Sequence, residues 1–156
     1  MPPLPEALDT EVLFDIEVDL EAPLAIGQTP LGGRTIFGVN GGTFEGPRLR
    51  GTVLAGGADW FLTLANGVGE LDVRITLRPD DGALIYLTYG GVLNAKPEVM
   101  ARVFSRQQVD PAEYYFRTTP RFETSAEPYV WLNALVCVGV GMLAPGKVSY
   151  RVFAVK

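Results

Sequence analysis

No histidine occurs anywhere in the 156 residues, and that gap removes more chemistry than any motif adds. Without imidazole there is no Ser-His-Asp or Cys-His nucleophile system, no HExxH zinc site and no imidazole proton shuttle. Acid–base work falls to Asp, Glu, Tyr, Lys or Cys. A single cysteine, Cys137, excludes an internal disulfide and agrees with a reducing compartment. Basic residues are sparse and scattered, 13 Lys and Arg against 18 Asp and Glu for a net charge of −5, so no phosphate-tracking surface is expected and nucleic acid is not a partner. No GxxxxGK[ST] loop is present, and Gly38 to Gly46 does not open onto an amphipathic helix, which disfavours a nucleotide-phosphate cradle. The longest apolar stretch, Val130 to Val140, is broken by Asn133 and a glycine and falls far short of the ~20 residues of a membrane helix. The opening MPPLPEALDTE lacks the basic start and apolar run of a secretory signal, so a cytoplasmic protein with no membrane partner is the expectation.

What the chain does have is turn chemistry and alternation. Residues 1–10 are proline-rich and read as a flexible N-terminus, and residues 11–156 as one domain with no linker. Glu11 to Leu20 places Val12, Phe14, Ile16, Val18 and Leu20 on one face, the pattern of a half-buried strand. Glu21 to Gly33 reads as a loop or irregular crossing. Further extended runs are Arg34 to Asn40, Arg48 to Ala55, Phe61 to Leu64, Glu70 to Arg78, Ala83 to Tyr89, the segment from Tyr114, Tyr129 to Val140, and Lys147 to Val155. Gly41-Gly42, Gly46-Pro47, Gly56-Gly57, Asn66-Gly67 and Pro145-Gly146 supply the turns between them. Pro97 to Arg106 is expected to be the only helix of more than one turn, with Val99, Met100, Val103 and Phe104 as its apolar stripe. About nine short strands with one small helix predict an all-β domain, a single closed or nearly closed antiparallel barrel, with a sandwich as the alternative. Within Tyr129–Val140, Trp131, Asn133, Leu135, Cys137 and Gly139 share a face. That face suits a cavity lining whose small residues leave room for a ligand, or equally a surface packed against the helix or against a second copy in a homo-oligomer.

Several stretches together resemble the bacterial and fungal family called domain of unknown function 3237: GGTFEGPRLRGTVLAGGADW at 41–60, LDVRITLRPDDGALIY at 71–86, DPAEYYFRTTPRFET at 110–124 and YVWLN at 129–133. The resemblance implies a compact barrel related in shape to allene oxide cyclase and the lipocalins, with a lumen for a small hydrophobic molecule. It carries no settled reaction.

The stretch Asn40 to Trp60 is where a site is expected, because Asn40, Glu45, Asp59 and Trp60 stand at the edges of glycine turns. Asp59 follows two glycines and precedes an indole that could desolvate it, raising its pKa toward a range useful for proton transfer. As an alternative, Asp59 caps its own turn and Trp60 plugs the barrel end. Asp72 and Arg74 share one strand face; if that face is the lumen, Arg74 is an anion clamp balanced by Asp72, and otherwise they are solvated with Thr76 and Arg78. Pro120 is expected to make Tyr114–Thr124 an edge strand followed by a bend, turning Tyr115, Arg117, Arg121 and Glu123 inward, or locking Arg121 to Glu123 or Glu45 as a buried pair. The combined expectation is a cofactor-independent isomerase, cyclase or lyase acting on a small hydrophobic or aromatic carbonyl compound. Asp59 or Glu123 is the base, Tyr115 the acid, Arg74 and Arg117 the anion stabilisers, and Trp60, Trp131 and Asn133 the walls. A carrier using the same lumen, and a barrel filled by its own side chains, are the competing expectations. Cys137 is expected to be inert core.

Overall fold

A computed structural model describes residues 1–156. Its ten strands are β1 (Thr10–Leu20), β2 (Leu24–Thr29), β3 (Gly32–Glu45), β4 (Arg50–Val53), β5 (Ala58–Thr63), β6 (Gly69–Pro79), β7 (Ile85–Ala95), β8 (Tyr114–Glu123), β9 (Cys137–Ala144) and β10 (Lys147–Val155). All pairings are antiparallel, and β1 pairs with β10 on one side and β3 on the other, which closes the ring. The wall is a closed barrel of eight strands with two extra ones. β4 and β5 lie end to end between β3 and β6, and β2 flanks the first half of β3. The expected barrel is therefore the observed one.

Alternation builds the wall as the sequence implies. In β6, Leu71, Val73, Ile75 and Leu77 are buried while Glu70, Asp72, Arg74 and Arg78 are exposed. α1 (Pro97–Phe104) has Pro97 at its first position and Glu98 against its N-terminal dipole, and it buries Val99 and Met100. No helix is long and apolar enough to cross a membrane.

Four local expectations fail, each for a physical reason. Gly41 and Gly42 do not reverse the chain: at φ 127° and 147° they bend one long strand, and Gly42 passes so close to the Glu17 carbonyl that a Cβ would collide with it. The expected loop Glu21–Gly33 holds β2, which tolerates Gly27 as an irregularity in its pairing with β3. Tyr129–Val140 is not one strand. Glu127–Ala134 forms a second helix, of the 3-10 type, and β9 begins only at Cys137. Pro128 starts that helix, the Trp131 indole donates to the Pro128 carbonyl, and the Asn133 amide both accepts from the Thr124 N–H and donates to the Thr124 carbonyl, at 2.9 Å each. Side-chain bonds to the Thr124 and Pro128 backbone thus hold in a helix an apolar run whose composition favours a strand. Finally, β8 runs straight through Pro120 without a bend. Its pairing with β9 covers only Arg117 and Thr118, so Pro120 removes no ladder bond on that side.

The lumen is unequal along its axis. At one end Phe14 packs against Phe44 and Phe122, with ring centroids 5.5 and 5.8 Å apart, beside fully buried Leu77 and Ile85. At the other, the end of α1 lies over a cavity of about 130 Å3.

Candidate active site

The cavity is positioned by the junction of β4 and β5. Gly56 and Gly57 stand at φ 99° and 81°, and a Cβ on Gly57 would strike the Arg74 carbonyl, so only glycine lets the chain pass here. The junction stays laced to its neighbours: Gly56 donates to the Val39 carbonyl, Val39 donates to that of Gly57, and Leu54 donates to that of Thr76. β5 then opens with Asp59 facing Phe37 of β3 and Val73 of β6. Asp59 and Phe61 line the cavity. Between Asp59 and Leu62 the β5–β6 pairing lapses, and the freed Asp72 N–H donates to Asp59 Oδ1 at 3.0 Å. A side-chain carboxyl thus fills a place in the ladder and is held rigidly with one oxygen left over.

Asp59 is half-buried and lines the cavity. Burial raises its pKa from 3.8 to about 7, against the lowering effect of the Asp72 N–H; the Asp72 carboxylate raises it further and Arg34 offsets part of the rise. Two tyrosines share the cavity wall. Tyr89 of β7 stands beside Val73 in register, and Tyr150 of β10 packs edge-on against both Tyr89 and Phe116, at 5.2 and 5.4 Å between centroids. Burial pushes both phenols above their ordinary range. The Tyr150 hydroxyl lies close enough to favour ionised Tyr89, and the Asp59 charge opposes ionisation of either. Both remain protonated donors near neutrality, beside a carboxyl whose pKa is raised to about 7. No cluster of three or more Cys, Asp or Glu side chains is gathered that could hold a metal ion.

Of the side chains expected to form a site, only Asp59 faces this cavity. Trp60 is the next residue along β5 and so points outward, where its ring lies 5.4 Å under Arg74 and its carbonyl accepts from Arg34 at 2.6 Å. Arg74 and Asp72 form the solvated face, 3.7 Å apart. Tyr115 is 54 % exposed on the outside of β8, with the Arg117 guanidinium 4.9 Å over its ring. Arg121 and Glu123 lie on that same outer face and form no ion pair with each other or with Glu45. Asn40 and Glu45 are exposed on β3. Trp131 and Asn133 belong to the second helix: Arg48 stacks on Trp131 at 3.6 Å, and Asn133 clamps Thr124. The room at Gly139 and Gly141 is taken by Thr118 and Phe116, not by cavity. Cys137 is buried, its thiol pushed up to about 11, as expected of inert core.

Tyr89 and Tyr150 are the residues that sequence reasoning passed over. A signal existed: Tyr89 is in phase with Ile85 and Leu87, and Tyr150 with Val148 and Val152, so each carries a hydroxyl on an otherwise apolar inner face.

Residues 8–155 match the family model described as "Protein of unknown function (DUF3237)". The chain belongs to this family. A UPF0311 protein of Clostridium acetobutylicum is 33% identical over 149 residues, covering 95% of this chain and 94% of its own. The structure of a β-barrel-like protein from Acinetobacter baumannii superposes with a TM-score of 0.85 at 39% identity, covering 98% of this chain and 99% of that one. The structure of an enzyme from Penicillium herquei has a TM-score of 0.73 at 22% identity over the full length of both chains, a likeness of fold.

Proposed function

We propose that this member of the family is a cofactor-independent enzyme that moves a proton next to a carbonyl group of a small apolar molecule, as an isomerase, cyclase or lyase. The observation that carries the reading is Asp59: a carboxyl in an apolar cavity, fixed by the Asp72 N–H, with a pKa of about 7. Such a group takes and returns a proton with little driving force lost in either direction. Tyr89 and Tyr150 would donate hydrogen bonds to the oxygen on which negative charge develops, in a mostly apolar setting. In this scheme Asp59 removes the proton from carbon, the carbonyl oxygen gains charge against the tyrosine hydroxyls, and Asp59 returns the proton at a second atom. Glu123 and Tyr115, on the outer face, are too far round the wall to share the work. The barrel shared with an enzyme of Penicillium herquei is compatible with catalysis and does not name the reaction.

The test is exchange of the α-hydrogens of a panel of small aryl ketones in heavy water, followed by mass spectrometry. Asp59→Asn keeps the shape and the acceptor for the Asp72 N–H but cannot take a proton, so the rate should fall by roughly 10² to 10⁴ while ligand affinity holds. Tyr89→Phe should lower the rate with a smaller effect. Ligands that bind to wild-type protein but show no exchange would leave a carrier, and equal rates in wild type and Asp59→Asn would remove Asp59 from the chemistry.

A further inference from the structure

α1 ends in an unusual way. Ser105 N–H donates to Ala101, Arg106 N–H to Val103 and Gln107 N–H to the Arg102 carbonyl, all at 3.0 Å. That pattern requires a left-handed residue where the helix stops, a place usually given to glycine. Here it is Arg106, at φ 58° the one non-glycine residue of the chain in the left-handed region. The chain uses glycine freely for such conformations elsewhere, at Gly56, Gly67, Gly82 and Gly146 among others, so an arginine here accepts backbone strain that glycine would avoid. Strain of this kind is tolerated where a side chain has work to do.

Arg106 is among the residues that line the cavity and is exposed, which places it at the mouth. One other cation shares that lining, Lys147, and it is committed to Glu17 at 2.5 Å and Asp19 at 3.6 Å. Arg106 has no ion pair and no side-chain hydrogen bond; even Glu21, on the same rim, does not reach it. The rim of an apolar cavity therefore presents one uncompensated guanidinium, with the carboxyl and the two phenols deeper in. Apolar cavities of about 150 Å3 accept a benzene ring, so one of about 130 Å3 with an open mouth suits a single ring or short chain whose far end reaches the rim.

Resting on the reading of the cavity given above, we infer that Arg106 determines specificity: the molecule that enters is an apolar carbonyl compound carrying a carboxylate or similar anionic oxygen at the end away from Asp59, and Arg106 holds that anion at the mouth. A guanidinium is the side chain best shaped for such an oxygen pair. Below pH 7 Asp59 is largely neutral and repels the ligand little.

The test uses cinnamate and its methyl ketone, benzylideneacetone, which share a ring and arm and differ in charge. Binding is measured by calorimetry at about pH 6, where cinnamate is ionised and Asp59 favours its neutral form. Arg106→Ala and Arg106→Gly should each weaken cinnamate about fivefold or more and leave the ketone within about twofold, and Arg106→Lys should recover part of the loss. Arg106→Gly guards against misfolding, since glycine suits the turn. Unchanged cinnamate affinity in Arg106→Ala and Arg106→Gly, with the ketone also unchanged, overturns the role of Arg106 and leaves the cavity reading standing. Failure of both compounds to bind wild-type protein overturns the cavity reading, and this inference with it.

Discussion

The two ends of the barrel share one ring of strands and do opposite things. At one end the inner residues are phenylalanine, leucine and isoleucine, whose rings and branches meet across the axis and leave no room. At the other, β5, β7 and β10 present Asp59, Tyr89 and Tyr150 around an opening covered in part by α1. The filled end makes the fold and the open end strains it, since a carboxyl is kept from water and an arginine is held left-handed. Separating stability from site in this way lets polar groups be buried where apolar packing would be easier.

The largest expected contrast is in packing. Phe14 is 0 % exposed and Phe104, at the mouth, is 48 % exposed. Phe14→Ala should cost about 3–5 kcal/mol in urea denaturation and Phe104→Ala about 1 kcal/mol or less. Similar losses at both ends would erase the distinction.

Asp59 sharpens it from the other side. Its folded pKa of about 7 lies above the ordinary 3.8, so between these values the folded protein keeps a proton that the unfolded chain has released. Stability must then fall as pH rises from about 4 to about 7 and stay level above, the reverse of a salt-bridged carboxylate. Asp59→Asn should remove that fall, gaining on the order of 1–4 kcal/mol above pH 7 and almost nothing at pH 4. Melting curves of the two proteins across this range read the difference directly, and parallel curves would mean that Asp59 is not desolvated.

Smaller effects follow at the two closures. The filled end is tied by Asn133, and Asn133→Ala should cost about 1–2 kcal/mol through the two lost bonds to Thr124, again by urea denaturation. The open end should respond with the opposite sign: Arg106→Gly relieves a left-handed arginine and should raise stability by about 1 kcal/mol, seen as a higher Tm. A loss of stability there would mean that the side chain packs more than it strains.

Much of the fold was legible because period-two burial is a local property. β6 and β10 show it residue by residue, and Gly57, just before Asp59, marks a place where the backbone of β6 leaves no space for a Cβ. The site was legible at one position. Asp59 stood out because a carboxyl after two glycines is conspicuous, whereas Tyr89 and Tyr150 look like ordinary β-prone residues until the strands that carry them are brought together. The errors at Trp131 and Asn133 arose because the apolar run Val130–Val140 suits a strand by composition, while Pro128 and the Thr124 clamp, which decide for a helix, act through hydrogen bonds that no periodicity records.

By itself, the sequence determined an all-β chain without imidazole chemistry, membership of its family, and an acid placed where glycine lets two strands approach. Tertiary structure alone decided which face of each strand is the inside, because alternation separates two faces without saying which one closes on the axis. It also decided that Asp59, Tyr89 and Tyr150 meet. They are far apart in sequence and are brought to one end only by the register of a closed ring, and a pKa near 7 arises from the apolar surroundings that this closure supplies.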